Sequence, residues 1–160
     1  MDPDIGIRPV VRADRESWLG LRTQLWPDHT QAELAREVDS HLGGGALWKL
    51  GAGSIPFRIL VAEHSLRGIV GFIEASLRPF AVGCRTSPVG YLEGWFVMPE
   101  LRRQGIGEAL VRSAEAWARA NGCQEMASDA RLENAVSEKS HTALGYDVVG
   151  RSIHFRRDLL

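Results

Sequence analysis

The sequence predicts one α/β domain, and three features carry that reading. Two β-rich runs are joined by a hairpin signal at His64–Gly68; a strongly strand-like run, Gly90–Met98, is stopped by Pro99; and a long amphipathic helical pattern runs from Gly107 to Asn121. No internal repeat or linker divides the 160 residues, a length that can bury a core without disulfide staples.

Taken in order, Ile5–Val11 reads as a short strand. Asp14 is placed to cap a helix on which Trp18, Leu21 and Leu25 share one face, ending at Trp26-Pro27 because the residue before proline avoids the helical region. Thr30 and Glu33 form a capping box for a second helix carrying Leu34, Val38 and Leu42, closed by Gly43-Gly44-Gly45. Residues 43 to 56 are a glycine-rich connection, with Trp48 within Ala46–Leu50 as a possible anchor. Phe57–Glu63 and Ile69–Leu77 are strands, Arg78–Pro88 a loop and Gly90–Met98 a strand. After the helix ending at Asn121-Gly122, Glu125–Ala130 reads as a strand and Ala135–Leu144 as a helix with Gly145 behind it. Asp147–Arg156 reads as one or two further strands.

A net charge of −1 argues against bulk electrostatic binding to nucleic acid, which needs a basic face. Cys84 and Cys123 are too few for a disulfide framework and have no metal-ligand spacing, so two buried free thiols and no metal are expected. The N-terminus lacks a basic region followed by an apolar run, and no apolar run reaches bilayer length. The expectation is a water-soluble cytoplasmic protein with no membrane partner.

The informative stretch is Arg102-Arg103-Gln104-Gly105-Ile106-Gly107, between the strongest strand and the longest helix. Consecutive backbone N–H groups in a glycine turn can point into one concavity, and the helix start adds free N–H groups and the positive end of its dipole. Arginines beside it add charge-assisted bonds to phosphate oxygens. A Gly-Lys-Ser/Thr P-loop and the three-glycine dinucleotide fingerprint are both missing. The alternative is an ordinary strand-to-helix turn with surface arginines.

This pattern, following Gly94-Trp95-Phe96-Val97-Met98-Pro99, resembles the acetyl-CoA signature of the GNAT superfamily of N-acetyltransferases, as do Glu133-Asn134-Ala135 and Ala143-Leu144-Gly145-Tyr146. The resemblance implies a central, mostly antiparallel sheet splayed between its fourth and fifth strands, flanked by about four helices. Acetyl-CoA would be the cosubstrate. Trp95, Phe96 and Val97 would offer backbone bonds to pantetheine, and an N–H near Phe96 or Val97 would polarise the thioester. Arg102, Arg103, Gln104, Gly105, Ile106, Gly107 and Glu108 would surround the diphosphate, and Asn134 the pantetheine arm.

Leu21-Arg22-x-Gln24-Leu25-Trp26-Pro27, Leu92-Glu93-Gly94 and Glu125-Met126-Ala127-Ser128-Asp129 resemble a narrower group, the aminoglycoside 6'-N-acetyltransferases. That resemblance implies that Trp26 packs on the acceptor while Glu93 and Asp129 hold its amines, Asp129 serving as first candidate for the base and Glu93 as second. Phe80 stands where the group often has a tyrosine, and Gly150 where some members have another acid. His141 stands where the superfamily often has a tyrosine that protonates the leaving thiolate; the other reading is a packed histidine. A covalent acetyl-cysteine route is disfavoured, because neither cysteine has a base beside it in sequence.

The expected reaction is acetyl transfer to a primary amine of a small cationic acceptor, in a ternary complex. The alternatives are a protein, peptide or polyamine acceptor, and a non-catalytic acyl-CoA-binding module. A homodimer is expected from the resemblance.

Overall fold

The structure, a computed structural model, describes residues 4–43, 49–50 and 53–159. A five-stranded sheet runs in sequence order: β1 (Ile5–Pro9), β2 (Phe57–His64), β3 (Gly68–Arg78), β4 (Val89–Val97) and β5 (Met126–Ser128). Each of the first four strands runs antiparallel to its neighbour, and β5 lies parallel to β4. A parallel neighbour needs a crossover, and helix α3 (Ile106–Ala120) supplies it. Helices α1 (Arg15–Leu25) and α2 (Gln31–Leu42) precede β2, and α4 (Ala135–Ala143) follows β5. In the glycine-rich connection, Lys49–Leu50 pairs with Gly53–Ser54; Trp48 lies outside the described residues.

The sheet is covered on both faces, which explains why β2 and β3 read as nearly continuous apolar runs. On one face Leu60, Ala62, Val70 and Ile73 pack with Ile106, Leu110, Val111 and Ala114 of α3. On the other Ile59, Val61, Ile69 and Phe72 pack with Trp18, Leu21, Leu34 and Val38 of α1 and α2. Leu110 is fully buried, and truncating such a leucine to alanine costs about 2–5 kcal/mol.

Thr30 and Glu33 close the expected capping box on α2: the Thr30 N–H donates to Glu33 Oε2 at 2.9 Å, and the Glu33 N–H to Thr30 Oγ1 at 3.3 Å. Asp14 departs from expectation. Its carboxylate accepts from the Val11 N–H (2.7 Å) and pairs with Arg8 (2.6 Å), so it closes the turn before α1 instead of capping the helix. The Arg8 guanidinium holds that carboxyl below its ordinary range.

Two further expectations are corrected. The strand expected at Glu125–Ala130 shrinks to Met126–Ser128. Glu125 keeps one bond to the neighbouring strand, its carbonyl accepting from the Gly90 N–H at 3.1 Å, while its carboxylate accepts N–H bonds from Arg85 (2.8 Å) and Thr86 (2.7 Å). Asp147–Arg156 forms no strand in this chain. Ile153 and Phe155 stand 77% and 92% exposed there. Among the described residues no helix is long and apolar enough to cross a membrane.

Candidate active site

β4 and β5 pair at only three positions, Gly90 with Met126, Tyr91 with Ala127 and Leu92 with Ser128. Past Leu92 the β5-facing edge of β4 opens while its other edge stays bonded to β3 as far as Val97. Glu93 marks the change. The β3 register jumps there, Glu74 facing Gly94 and Ala75 facing Leu92, so Glu93 is the extra residue of a bulge. The Met98 N–H bonds the Val70 carbonyl at 2.9 Å. Alternation along the strand therefore turns the N–H groups of Trp95 and Val97 to the open edge, and that of Phe96 toward β3.

The side chains of these three residues serve packing. Phe96 joins the core on the α1 side, and Trp95 and Val97 pack toward α3. Backbone groups are then what this stretch offers to a ligand lying along the edge.

The glycine turn leads from β4 into α3. Gly105 has φ +81° and Arg103 φ +65°, left-handed backbone that bends the chain into the helix. The first bond of the helix runs from the Ala109 N–H to the Gly105 carbonyl at 3.0 Å, so the N–H groups of Ile106, Gly107 and Glu108 precede the ladder. Arg103, Gln104, Gly105 and Glu108 are exposed and Ile106 is buried, so Ile106 has only its N–H to offer. Gly107 is required for a different reason than conformation. A Cβ there would stand 2.7 Å from the Trp95 ring.

Arg102 is anchored through one nitrogen and otherwise exposed. Its Nε donates to the Val97 carbonyl at 2.9 Å, and its guanidinium lies 5.5 Å over the Phe96 ring. Asn134 caps α4, its side-chain oxygen accepting from the Ser137 N–H at 3.0 Å; its amide nitrogen is the group left to donate. An exposed run of N–H donors beside an open strand edge fits a diphosphate carried on an extended amide-containing arm, the shape of coenzyme A.

Phe80, Glu93, Asp129 and His141 line one cavity of about 1510 Å³, together with Tyr91, Arg78 and Ser128. Trp26 and Glu93 line a second, of about 330 Å³, with Arg22, Glu37 and Glu74. Glu93 therefore belongs to both. Trp26 lies against β4 at Gly94, where a Cβ would come within 2.6 Å of the indole, and the Arg22 guanidinium sits 4.7 Å from its ring. Arg22 pairs with the buried Glu74 at 2.8 Å. Burial pushes the Glu74 carboxyl up to about 7, against the pull of Arg22. Phe80 is 74% exposed at the rim.

Glu93 accepts from Arg78 Nε at 2.9 Å and from the hydroxyl of Ser76. The Arg78 guanidinium stacks 3.5 Å from the Tyr91 ring centroid, and Tyr91 Oη donates to Asp129 Oδ1 at 2.6 Å. Sequence reasoning missed Arg78 and Tyr91. Tyr91 stands two residues before Glu93 on a strand, a spacing that could have marked it; Arg78 had no comparable signal.

His141 Nε2 lies 3.0 Å from Ser128 Oγ, and its Nδ1 lies 2.8 Å from the Ser137 carbonyl. Nδ1 carries the ring proton when it bonds that carbonyl, which leaves Nε2 as acceptor in the neutral ring. Its ring meets Trp95 edge-on at 5.5 Å. The packed and the functional readings thus describe one position, beside the gap between β4 and β5.

Cys123 is buried and Cys84 only half-buried. Burial raises both thiols above their ordinary range, with Glu125 adding to the effect at Cys84. Neither is set up as a nucleophile. Among the described residues no group of three metal-ligating side chains gathers.

Residues 18–146 match the acetyltransferase (GNAT) family. The aminoglycoside N(6')-acetyltransferase type 1 of Klebsiella aerogenes is 42% identical over 159 residues, covering 99% of this chain and 100% of that protein. That of Salmonella typhimurium is 37% identical, covering 94% and 97%. Among solved structures, AAC(6')-Iy in complex with a bisubstrate analogue, CoA-S-monomethyl-acetylneamine, superimposes with a TM-score of 0.82 at 34% identity, covering 96% of this chain and 98% of that one. AAC(6')-Ih from Acinetobacter baumannii gives 0.82 at 36% identity, covering 97% and 99%.

Proposed function

The chain belongs to the acetyltransferase (GNAT) family, and from that premise we propose that it moves the acetyl group of acetyl-CoA to a primary amine of a small cationic acceptor, the 6'-amine of an aminoglycoside. The observation that carries the acceptor class is the placement of Glu93 and Asp129 on one cavity beside the open edge of β4. Polyamine sugars carry several ammonium groups, and carboxylates in a cleft both attract and orient them. The relatives named above support the 6'-amine.

Acetyl-CoA supplies an activated acetyl thioester. The N–H groups at residues 103–108 are the seat for its diphosphate, with Arg103 adding charge, and the β4 edge from Trp95 to Val97 is the rail for its pantetheine arm. The Val97 N–H, aimed at the open edge, stabilises the oxyanion that forms on attack. The donor amide of Asn134 serves the same arm. Arg102, anchored through Nε to the Val97 carbonyl, shapes the end of the rail and keeps its terminal nitrogens for the diphosphate.

An ammonium has no lone pair, so the amine must lose a proton before it attacks. Asp129 accepts that proton, directly or through a water. Glu93 anchors the acceptor and is the second candidate for the base. Trp26 gives the acceptor an apolar wall and Phe80 a rim. His141 or a water returns a proton to the departing thiolate. Transfer is direct, within a ternary complex.

We also place the protein in the cytoplasm as a homodimer. Two unpaired thiols suit a reducing compartment. The support for a second copy is the open outer edge of β5 together with the exposed Val148, Val149, Ile153 and Phe155 of the C-terminal segment. Light scattering on purified protein checks the mass.

Release of free thiol from acetyl-CoA tests the reaction, with kanamycin, spermidine and a histone-tail peptide as acceptors. Turnover on kanamycin is expected. Turnover on the peptide alone would replace the acceptor class, and coenzyme A binding without turnover on any amine would make the chain a binding module.

A further inference from the structure

Asp129 lies in the irregular stretch between β5 and α4, where no strand or helix ladder fixes its backbone. A base at such a position needs an external hold, because catalysis tolerates little misplacement. Tyr91 provides one. Its Oη donates to Asp129 Oδ1 at 2.6 Å, which leaves Oδ2 open toward an incoming amine.

Tyr91 is well suited to act as a fixed post. It sits on β4, bonded to β3 on one side and paired with Ala127 of β5 on the other. It is 8% exposed, its ring packed with Ala81 and Val89. Burial and the Asp129 carboxylate raise the phenol well above its ordinary range, so it stays a proton donor wherever the enzyme works. The same ring lies under the Arg78 guanidinium at 3.5 Å, and Arg78 holds Glu93 through Nε at 2.9 Å. An unbroken set of contacts thus runs from Glu93 through Arg78 and Tyr91 to Asp129.

We propose that Tyr91 is the positioning residue of the acceptor site: its hydroxyl aims Asp129 and its ring carries the Arg78 that orients Glu93, so one side chain sets the two carboxylates relative to each other. Tyr91 acts through the acids and exchanges no proton with substrate. The proposal rests on the acceptor reading above, and its test separates the two.

Tyr91→Phe removes the hydroxyl and keeps the ring. The expected result is a kcat about 10–100-fold lower, with the acceptor KM and the KM for acetyl-CoA within about twofold of the parent. Tyr91→Leu also removes the platform under Arg78 and should add a rise in acceptor KM. The decisive comparison is a cycle with Asp129→Asn. If Tyr91 works through Asp129, Tyr91→Phe costs nothing further in the Asp129→Asn background. Additive losses, or a Tyr91→Phe kcat within twofold of the parent, overturn the proposal. Should the parent protein acetylate no amine at all, the acceptor reading fails and crystallography decides the positioning role. An Asp129 side chain that turns away in Tyr91→Phe upholds it, and one that keeps its place overturns it.

Discussion

Gly94 leaves the space that the Trp26 indole occupies: a Cβ on residue 94 would stand 2.6 Å from the tip of the ring. The glycine lies directly after the bulged Glu93, so one local irregularity of β4 both turns an acid toward the cavity and admits the aromatic wall beside it.

Gly94→Ala should therefore push Trp26 out of place. The expected outcome is an acceptor KM raised about tenfold with little change in acetyl-CoA binding, and a stability loss of about 1–3 kcal/mol from overpacking. Steady-state kinetics and a denaturant melt check both.

The two glycines of the phosphate turn should fail differently. Gly105→Ala forces a side chain into left-handed backbone at φ +81°, a cost of about 1–2 kcal/mol. It should weaken coenzyme A binding in calorimetry by reshaping the row of N–H groups. Gly107→Ala drives a Cβ to 2.7 Å from Trp95, so it should disturb Trp95 and the edge-on His141 ring as well, visible as a change in tryptophan fluorescence.

Asp129→Asn keeps the shape and removes the base. A kcat lower by roughly 10²–10⁴ is expected, with coenzyme A affinity unchanged. Glu93→Gln should act mainly on acceptor KM. A loss below tenfold for Asp129→Asn would move the base to Glu93 or water.

Stability should fall on mild acidification, and His41 is one source. Its ring lies between Trp18 (5.8 Å) and Phe57 (5.0 Å). Burial, helped by the Arg22 charge, pushes it from 6.5 down to about 4. Between those values the unfolded chain takes up a proton that the folded chain refuses, so this contribution is present above about pH 6.5 and lost as pH falls toward 4. His41→Phe keeps an aromatic ring and removes the titration. Its drop in Tm between pH 7 and pH 5 should be about 2–4 °C smaller than the parent's, by calorimetric melts.

Much of this site could be read along the chain because its signals are local. Pro99 and Gly105 bracket the turn between β4 and α3, and Thr30 and Glu33 announce α2 through a bond spanning three residues. What escaped depends on partners distant in sequence. Tyr91 and Asp129 stand 38 positions apart, and Arg78 reads locally as the start of a loop although it is the last residue of β3. Asp147–Arg156 carries a strand-like pattern, yet pairing depends on a partner strand that a local pattern does not name.

Catalysis in this enzyme turns on a thioester held at the open edge of β4 with two carboxylates facing it. The most direct measurement is a crystal structure with coenzyme A bound. The predicted result places the diphosphate on the N–H groups of residues 103–108 and the sulfur at the gap past Leu92 and Ser128, with Asp129 and Glu93 across from it. A sulfur elsewhere, or carboxylates turned away from it, would contradict this arrangement of donor and acceptor.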